Sequence, residues 1–214
     1  MSFTGIPLTA LDFYEDLEVD NSKIFWAANK HIYDVSVKAP MAALALEMEP
    51  EFGHGKLFRP FRDVRFAKDK TPYKTHQGLW FDESALYVEV GAEGLAVAGG
   101  FWRTMPDQVA RYRAAIDNDL HAGALDKILA TLRKAKFEIH GEQLSRVPSG
   151  FAKDHERAEL LKYKTLVARK MIGAPAWIDT PQAKTEISKS WRQITPLVQW
   201  LKQHVGNSDL PARG

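Results

Sequence analysis

Residues 78–102 read GLWFDESALYVEVGAEGLAVAGGFW, and the order of the apolar runs in this stretch indicates the fold class. Three runs, GLWFD, SALYVEV and GLAVAGGFW, are separated by turn-forming residues. Short runs rich in aromatic and β-branched residues, bounded by such residues, are typical of strands. The segment GAEG between the second and third runs has the glycines of a hairpin turn. Consecutive strands joined by short turns predict an antiparallel sheet.

Helical patterns lie on both sides of these strands. Apolar residues recur at helical spacing over 8–17 and 22–48, and we expect Pro40 to kink or divide the second helix. Further helices are predicted after Pro106, from about His121 and from Thr180–Pro181. Two more strands are predicted in KFEIHGEQL and KTLVARKMI.

The order of these elements predicts an α+β fold. The strands follow one another and do not alternate with helices, so we expect a mostly antiparallel sheet from the middle and C-terminal strands, covered by helices from both ends of the chain. The sequence shows no internal repeat, low-complexity linker or charge block. We therefore expect a single domain over residues 1–214, with an ordered core of about 3–205.

The composition is that of a soluble globular protein. Hydrophobic residues make up 45% and charged residues 26% of the chain, close to the average for that class. The start, MSFTGIPLTALDFYEDL, lacks the basic and apolar regions of a signal peptide, and no stretch of roughly 18 apolar residues is present. We therefore expect a cytoplasmic protein with no membrane segment. The absence of cysteine excludes disulfides and thiolate chemistry.

The basic segment 59–78, RPFRDVRFAKDKTPYKTHQG, concentrates charge together with aromatic residues. Six cations stand against two acids, and the cations are Arg59, Arg62, Arg65, Lys68, Lys70 and Lys74. Arginine suits bidentate capture of carboxylate or phosphate. The segment therefore predicts a cationic pocket, with an aromatic wall from Phe66 and Tyr73, for an anionic small ligand bearing phosphate or carboxylate.

The roles within such a site follow from side-chain chemistry. The ligand-binding candidates are Arg62, Arg65, Lys68, Lys70, Tyr73, Lys74, Trp102 and Arg113. If the site is enzymatic, Asp63 or Asp69 would act as base and Lys70 or Tyr73 as acid. Arg113 is expected on the inward face of its helix, where it needs a ligand or a carboxylate, and Asp63 and Asp69 are candidate partners. Whether the protein is an enzyme stays open at this point.

Two alternatives use the same residues. In a structural or interaction protein, the arginines would pair with Asp63 and Asp69 in an architectural ion-pair network. In a nucleic-acid binder, Phe66 and Tyr73 would stack on bases, but the net charge of +2 argues against a dedicated nucleic-acid module. The sequence specifies no oligomeric state.

Signals for a metal or a cofactor are absent from the sequence. The seven histidines are scattered without the spacing of a zinc site, and His76, beside the basic segment, is the histidine to test. Neither G-x-G-x-x-G nor Gly-Lys-Ser/Thr occurs, and no G-x-S-x-G elbow is present. We expect no metal and no cofactor.

The basic segment also carries a family resemblance. RDVRFAKDKTPYK at 62–74, preceded by NSKIFWAANKHIY and followed by YVEV and GGFW, resembles the family called domain of unknown function 2461. The later matches are Gly100, Phe101, Trp102 and Arg113, followed by PSGF and LLKYKTL. The resemblance runs from Phe3 to about Leu201. It implies that the basic segment is the signature of the family and implies no particular activity.

Overall fold

The computed structural model describes residues 2–65 and 68–211. The helices are α1 (Leu8–Val19), α2 (Lys23–Ile32), α3 (Ala39–Phe52), α4 (Pro106–Asp117), α5 (Asp119–Lys134), α6 (Ala158–Leu161) and α7 (Gln182–His204), and a π-helical segment (Tyr33–Lys38) joins α2 to α3. The strands are β1 (Gly55–Leu57), β2 (His76–Phe81), β3 (Leu86–Gly91), β4 (Gly94–Phe101), β5 (Glu138–His140) and β6 (Leu166–Gly173).

The strands form one antiparallel sheet in the order β1-β2-β3-β4-β6-β5. The predicted α+β fold is therefore confirmed, with helices at both ends of the chain. The turn between β3 and β4 depends on Gly94, whose φ is +95°. A Cβ atom there would lie 2.2 Å from the carbonyl oxygen of Gly173, so only glycine fits this turn without strain. The short strand β1 was not predicted, because three residues carry too little periodicity.

The described residues form two compact units. One contains residues 2–65, 68–97 and 171–191, and the other contains residues 98–170 and 192–211. The expectation of a single domain over 1–214 stays a prediction, because compactness does not measure whether a part of the chain folds alone.

In the first unit, helices cover one face of the sheet. α1 packs on β3, and α3 packs on β1 and β2. The residues of β3 on this face alternate with half-exposed ones, as the period of two requires. Leu79 and Phe81 of β2, together with Leu86 and Val88 of β3, are fully or almost fully buried.

The helical region predicted over 22–48 is present, and Pro40 lies in the first turn of α3. Because the helical backbone continues from the π-helical segment into α3, Pro40, which has no N–H, cannot donate a hydrogen bond to the preceding turn. The π-helical segment before it buries Tyr33 and Val37.

The second unit combines α4, α5 and α6 with β5. α4 packs on α5 and α6, and α5 packs on β5. The Tyr112 hydroxyl donates to the Leu160 carbonyl at 3.0 Å, and the Trp200 indole N–H donates to the His121 carbonyl at 2.9 Å. A cavity of about 10 Å³, lined in part by Phe101, Tyr112 and Leu166, could hold one water molecule.

In the part of the chain that the structure describes, no helix is both long enough and apolar enough to cross a bilayer.

Glu47 on α3 ties the N-terminal segment to α7 in the first unit. Its carboxylate accepts from the Lys184 ammonium at 2.6 Å, from the Phe3 backbone N–H at 2.7 Å and from the Ser2 hydroxyl at 3.1 Å. The hydrogen bond from Lys184, followed by that from Phe3, lowers the pKa of Glu47 from 4.5 to about 2. The folded protein thus favours the ionised carboxylate.

We expect Glu47→Gln to destabilise the protein at neutral pH by an amount that shrinks as the pH falls. Because the pKa of Glu47 is lower in the folded state, its contribution is complete above the unfolded pKa of about 4.5 and disappears as the pH falls toward about 2. Urea unfolding at a series of pH values measures the difference between the variant and the natural protein. Glu18→Gln on the exposed surface of α1 is the control, and a difference for Glu47→Gln that stays constant across this pH range would contradict the prediction.

Candidate functional site

The basic segment forms a loop that is closed at its base by backbone hydrogen bonds. The Arg62 N–H donates to the Pro72 carbonyl and the Lys74 N–H to the Pro60 carbonyl, both at 2.8 Å. These bonds flank an antiparallel bridge between Phe61 and Tyr73. We call residues 59–65 and 68–74 the basic loop.

Tyr73 anchors this loop to α2 and to the residues that precede it. The Asn21 side chain accepts from the Tyr73 N–H at 3.0 Å and donates to the Tyr73 carbonyl at 3.1 Å, so it holds both backbone groups. The Tyr73 ring stacks on the Trp26 ring, with the ring centroids 4.2 Å apart. The centroid of the Phe61 ring lies 5.5 Å from that of Tyr73. Tyr73 is only 5% exposed. Its roles as acid or ligand contact stay predictions, and its packing favours the anchoring role.

The two arginines at the centre of the signature converge on the two aspartates. Arg65 forms a fork with Asp63, with Nη2–Oδ2 at 2.7 Å and Nε–Oδ1 at 3.0 Å. Arg62 pairs with Asp69 and also donates to the Thr71 hydroxyl. Asp69 accepts in turn from the Thr71 N–H at 2.9 Å. The Arg62–Asp69 pair joins the two arms of the basic loop, whereas the Arg65–Asp63 pair is local to one arm.

These hydrogen bonds keep both carboxylates ionised. The side-chain and then the backbone hydrogen bond from Arg65 lower the pKa of Asp63 to about 2. The Thr71 N–H, followed by Arg62, lowers the pKa of Asp69 to about 2. A general base works best with a pKa near the working pH, so this geometry favours structural roles for both aspartates at neutral pH. The base roles predicted for them stay predictions.

The remaining cations of the basic loop are not neutralised in this way. Arg59, Lys68, Lys70 and Lys74 have no carboxylate within ion-pair distance among the described residues. Lys70 donates to the Val64 carbonyl at 3.0 Å, and the Lys74 ammonium lies 5.1 Å from the centroid of the Phe58 ring. Burial, followed by the charge of Arg59, lowers the pKa of Lys74. An excess of positive charge therefore remains on the loop.

Three other candidates lie elsewhere or outside the described residues. Trp102 and Arg113 belong to the second unit, where Trp102 follows β4 and is 44% exposed. Arg113 is half-buried on α4 and donates from Nε to the Leu161 carbonyl at 3.3 Å. The ligand-binding roles of both residues stay predictions. Phe66, expected in an aromatic wall with Tyr73, lies outside the described residues.

A polar cluster on the open face of β2 and β3 was missed by the sequence reasoning, apart from His76. The Tyr87 hydroxyl donates to the Glu89 carboxylate at 2.8 Å, and His76 Nε2 lies 3.6 Å from the same carboxylate. A Cβ atom on Gly78 would lie 2.3 Å from the Tyr87 hydroxyl, so the glycine makes room for this ring. The Phe58 ring, under Lys74, lies 5.9 Å from the Tyr87 ring. The period of two along both strands is the sequence signal that could have grouped these residues.

Metal ligands do not gather in the described part of the chain. No group of three or more histidine, aspartate or glutamate side chains there could hold a metal ion.

Comparison with known proteins gives one match. A family model described as "conserved hypothetical protein (DUF2461)" matches residues 9–200 of the 214 residues. No curated protein and no solved structure matches the chain. The match covers nearly the whole chain and includes the basic loop, which confirms the resemblance carried by its signature. The chain therefore belongs to the DUF2461 family.

Proposed function

We propose that this protein binds an anionic small molecule, bearing phosphate or carboxylate, at the basic loop. The observation that carries the proposal is the set of cations without a carboxylate partner among the described residues: Arg59, Lys68, Lys70 and Lys74. Two internal ion pairs already hold the loop, so these cations are not needed to balance its acids. The cytoplasmic location also remains a proposal.

Arg59 and Lys74 form the centre of this proposal. Lys74 is half-buried, and the charge of Arg59 disfavours its charged form. Two like charges near each other, one of them partly desolvated, repel, and a bound anion would relieve that repulsion. Arg59 is exposed and can form a bidentate contact with a carboxylate or phosphate.

The ion pairs favour a second role for Arg62 and Arg65. The Arg62 guanidinium donates to Asp69 and the Arg65 guanidinium donates to Asp63, as an architectural network would require. We propose that they set the shape of the loop and that the remaining cations bind the ligand. If the architectural role is the whole function, the protein is a structural or interaction protein and no small anion will bind.

Arg59→Gln is expected to weaken anion binding roughly tenfold while the protein stays folded, because a charge-assisted contact to an exposed arginine is lost. Thermal unfolding in rising concentrations of inorganic phosphate, then of a panel of phosphorylated and carboxylated metabolites, measures binding, since Tm rises with the logarithm of ligand concentration. Arg146→Gln, on an exposed arginine in the second unit, should bind as the natural protein does.

Arg62→Gln separates the two roles. It should lower the stability of the loop because Asp69 and Thr71 lose their partner. Loss of stability in this variant, together with no Tm rise of the natural protein in millimolar concentrations of any ligand tested, would establish the architectural alternative and refute the binding proposal.

A further inference from the structure

We propose that Lys74 is a nucleophilic lysine that forms a Schiff base with an anionic carbonyl compound, such as a 2-oxo acid, whose carboxylate is held by Arg59. The inference rests on the proposed anion-binding function and names the substrate class of the same site.

The backbone of Lys74 is fixed at the base of the basic loop. Its N–H donates to the Pro60 carbonyl at 2.8 Å, and the preceding residue, Tyr73, is held by both polar groups of the Asn21 side chain. The amine itself lies over the Phe58 ring, 5.1 Å from its centroid, so the backbone and the end of the side chain each have a defined contact.

No carboxylate within the described ranges 2–65 and 68–211 holds the Lys74 amine, unlike the amines of several other lysines. In the part of the chain that the structure describes, the lysines that form an ion pair with a carboxylate include Lys30, Lys162, Lys164, Lys184 and Lys189. Lys74 has no such partner among the described residues, and its amine lies over the Phe58 ring. A carboxylate would hold the amine in its charged form, whereas an aromatic face and partial burial do so much less.

The positive charge of Arg59 also disfavours the charged form of the Lys74 amine. Only the neutral amine has the lone pair that attacks a carbonyl carbon, and desolvation beside another cation is the usual way to make a lysine nucleophilic. Burial, followed by the charge of Arg59, lowers the pKa of Lys74, which agrees with the geometry.

Arg59 indicates which group the substrate carries beside its carbonyl. A guanidinium binds a carboxylate through two parallel hydrogen bonds, and a 2-oxo acid carries its carbonyl directly beside its carboxylate. The Lys74 amine would add to the carbonyl carbon to give a carbinolamine. Loss of water, with one proton taken up, then leaves the protonated imine. Overall, the Lys74 ammonium and the carbonyl compound yield the protonated imine and water.

Reductive trapping tests the inference. The full chain is incubated with pyruvate and sodium cyanoborohydride, which reduces an imine to a stable carboxyethyl-lysine, and peptide mass spectrometry locates the adduct. We expect the adduct at Lys74 in preference to other lysines, its loss in Lys74→Arg, and roughly tenfold slower labelling in Arg59→Gln. Lys170→Arg is the matched control, because Lys170 is also half-buried over an aromatic ring, 5.3 Å from the centroid of Phe137.

Each result decides the matter. Labelling spread evenly over surface lysines, or unchanged labelling of Lys74→Arg, overturns the inference, as does equal labelling of Lys74 by acetone, which carries no carboxylate. Circular dichroism checks that each variant is folded. If pyruvate or phosphate raises Tm but no Lys74 adduct forms, the inference fails and the proposed function stands. If there is neither a Tm rise nor an adduct, both fail.

Discussion

Replacing Trp191 with alanine is expected to lower the free energy of unfolding by about 3–5 kcal/mol. Trp191 is 0% exposed in the first unit and packs edge-on against Phe52 and Phe81, with each pair of ring centroids 5.0 Å apart. Its indole N–H donates to the Tyr87 carbonyl at 3.0 Å. The variant leaves a cavity between the two phenylalanines and also removes a donor from a carbonyl of β3.

Urea unfolding monitored by circular dichroism measures this loss, by linear extrapolation to water. Trp191→Phe is the matched variant, because it keeps an aromatic ring and loses the hydrogen bond, and we expect a smaller loss of about 1–3 kcal/mol. A loss below about 1 kcal/mol for Trp191→Ala would show that the site can collapse around the missing ring and would contradict the packing described here.

Gln77→Leu is expected to lower the free energy of unfolding by about 2–5 kcal/mol, although leucine is more apolar than glutamine. Gln77 is 1% exposed on β2. Its amide nitrogen donates to the Phe58 carbonyl at 2.7 Å and to the Gly78 carbonyl at 2.9 Å, and its oxygen accepts from the Tyr33 hydroxyl at 2.7 Å. Leucine would leave the Phe58 carbonyl and the Tyr33 hydroxyl without these partners, and each unsatisfied buried group costs about 1–3 kcal/mol.

A double-mutant cycle with Tyr33→Phe tests the source of the loss. Tyr33→Phe alone should cost about 1–2 kcal/mol, since it leaves the Gln77 oxygen without its donor. The double variant should then cost less than the sum of the two single variants, because both remove the same hydrogen bond. Strict additivity would mean that the Tyr33–Gln77 contact contributes nothing. Gln77 also holds the carbonyl of Phe58, whose ring lies under the Lys74 amine. Loss of these hydrogen bonds is therefore also expected to slow the reductive trapping of Lys74.

Much of the fold could be predicted from local patterns. The three runs in 78–102 correspond to β2, β3 and β4, because short runs rich in β-branched and aromatic residues between turn-forming residues are typical of strands. The helical spacing over 8–17 and 22–48 likewise marks helices of the first unit. The cluster of positive charge in the basic segment could also be predicted from the sequence, because its residues are neighbours in the chain.

The contacts of the candidate site could not be read in this way. Composition showed six cations and two acids in the basic segment, but left open whether Arg62 and Arg65 converge on a ligand or on Asp63 and Asp69. In the fold they converge on the aspartates, as the turn of the loop brings residues 62 and 69 together. The burial of Tyr73 likewise depends on Trp26 and Asn21, which lie some fifty positions earlier in the chain.

The amino-acid sequence alone was enough to predict the α+β class, the longer strands, most helices and the place of the basic loop, because each depends on the spacing of side chains along a local stretch. Tertiary structure was needed to show which charges of the loop are paired and which have no carboxylate partner among the described residues. An ion pair or a buried hydrogen bond joins atoms that are distant in the chain, and only the packed backbone sets how close they come.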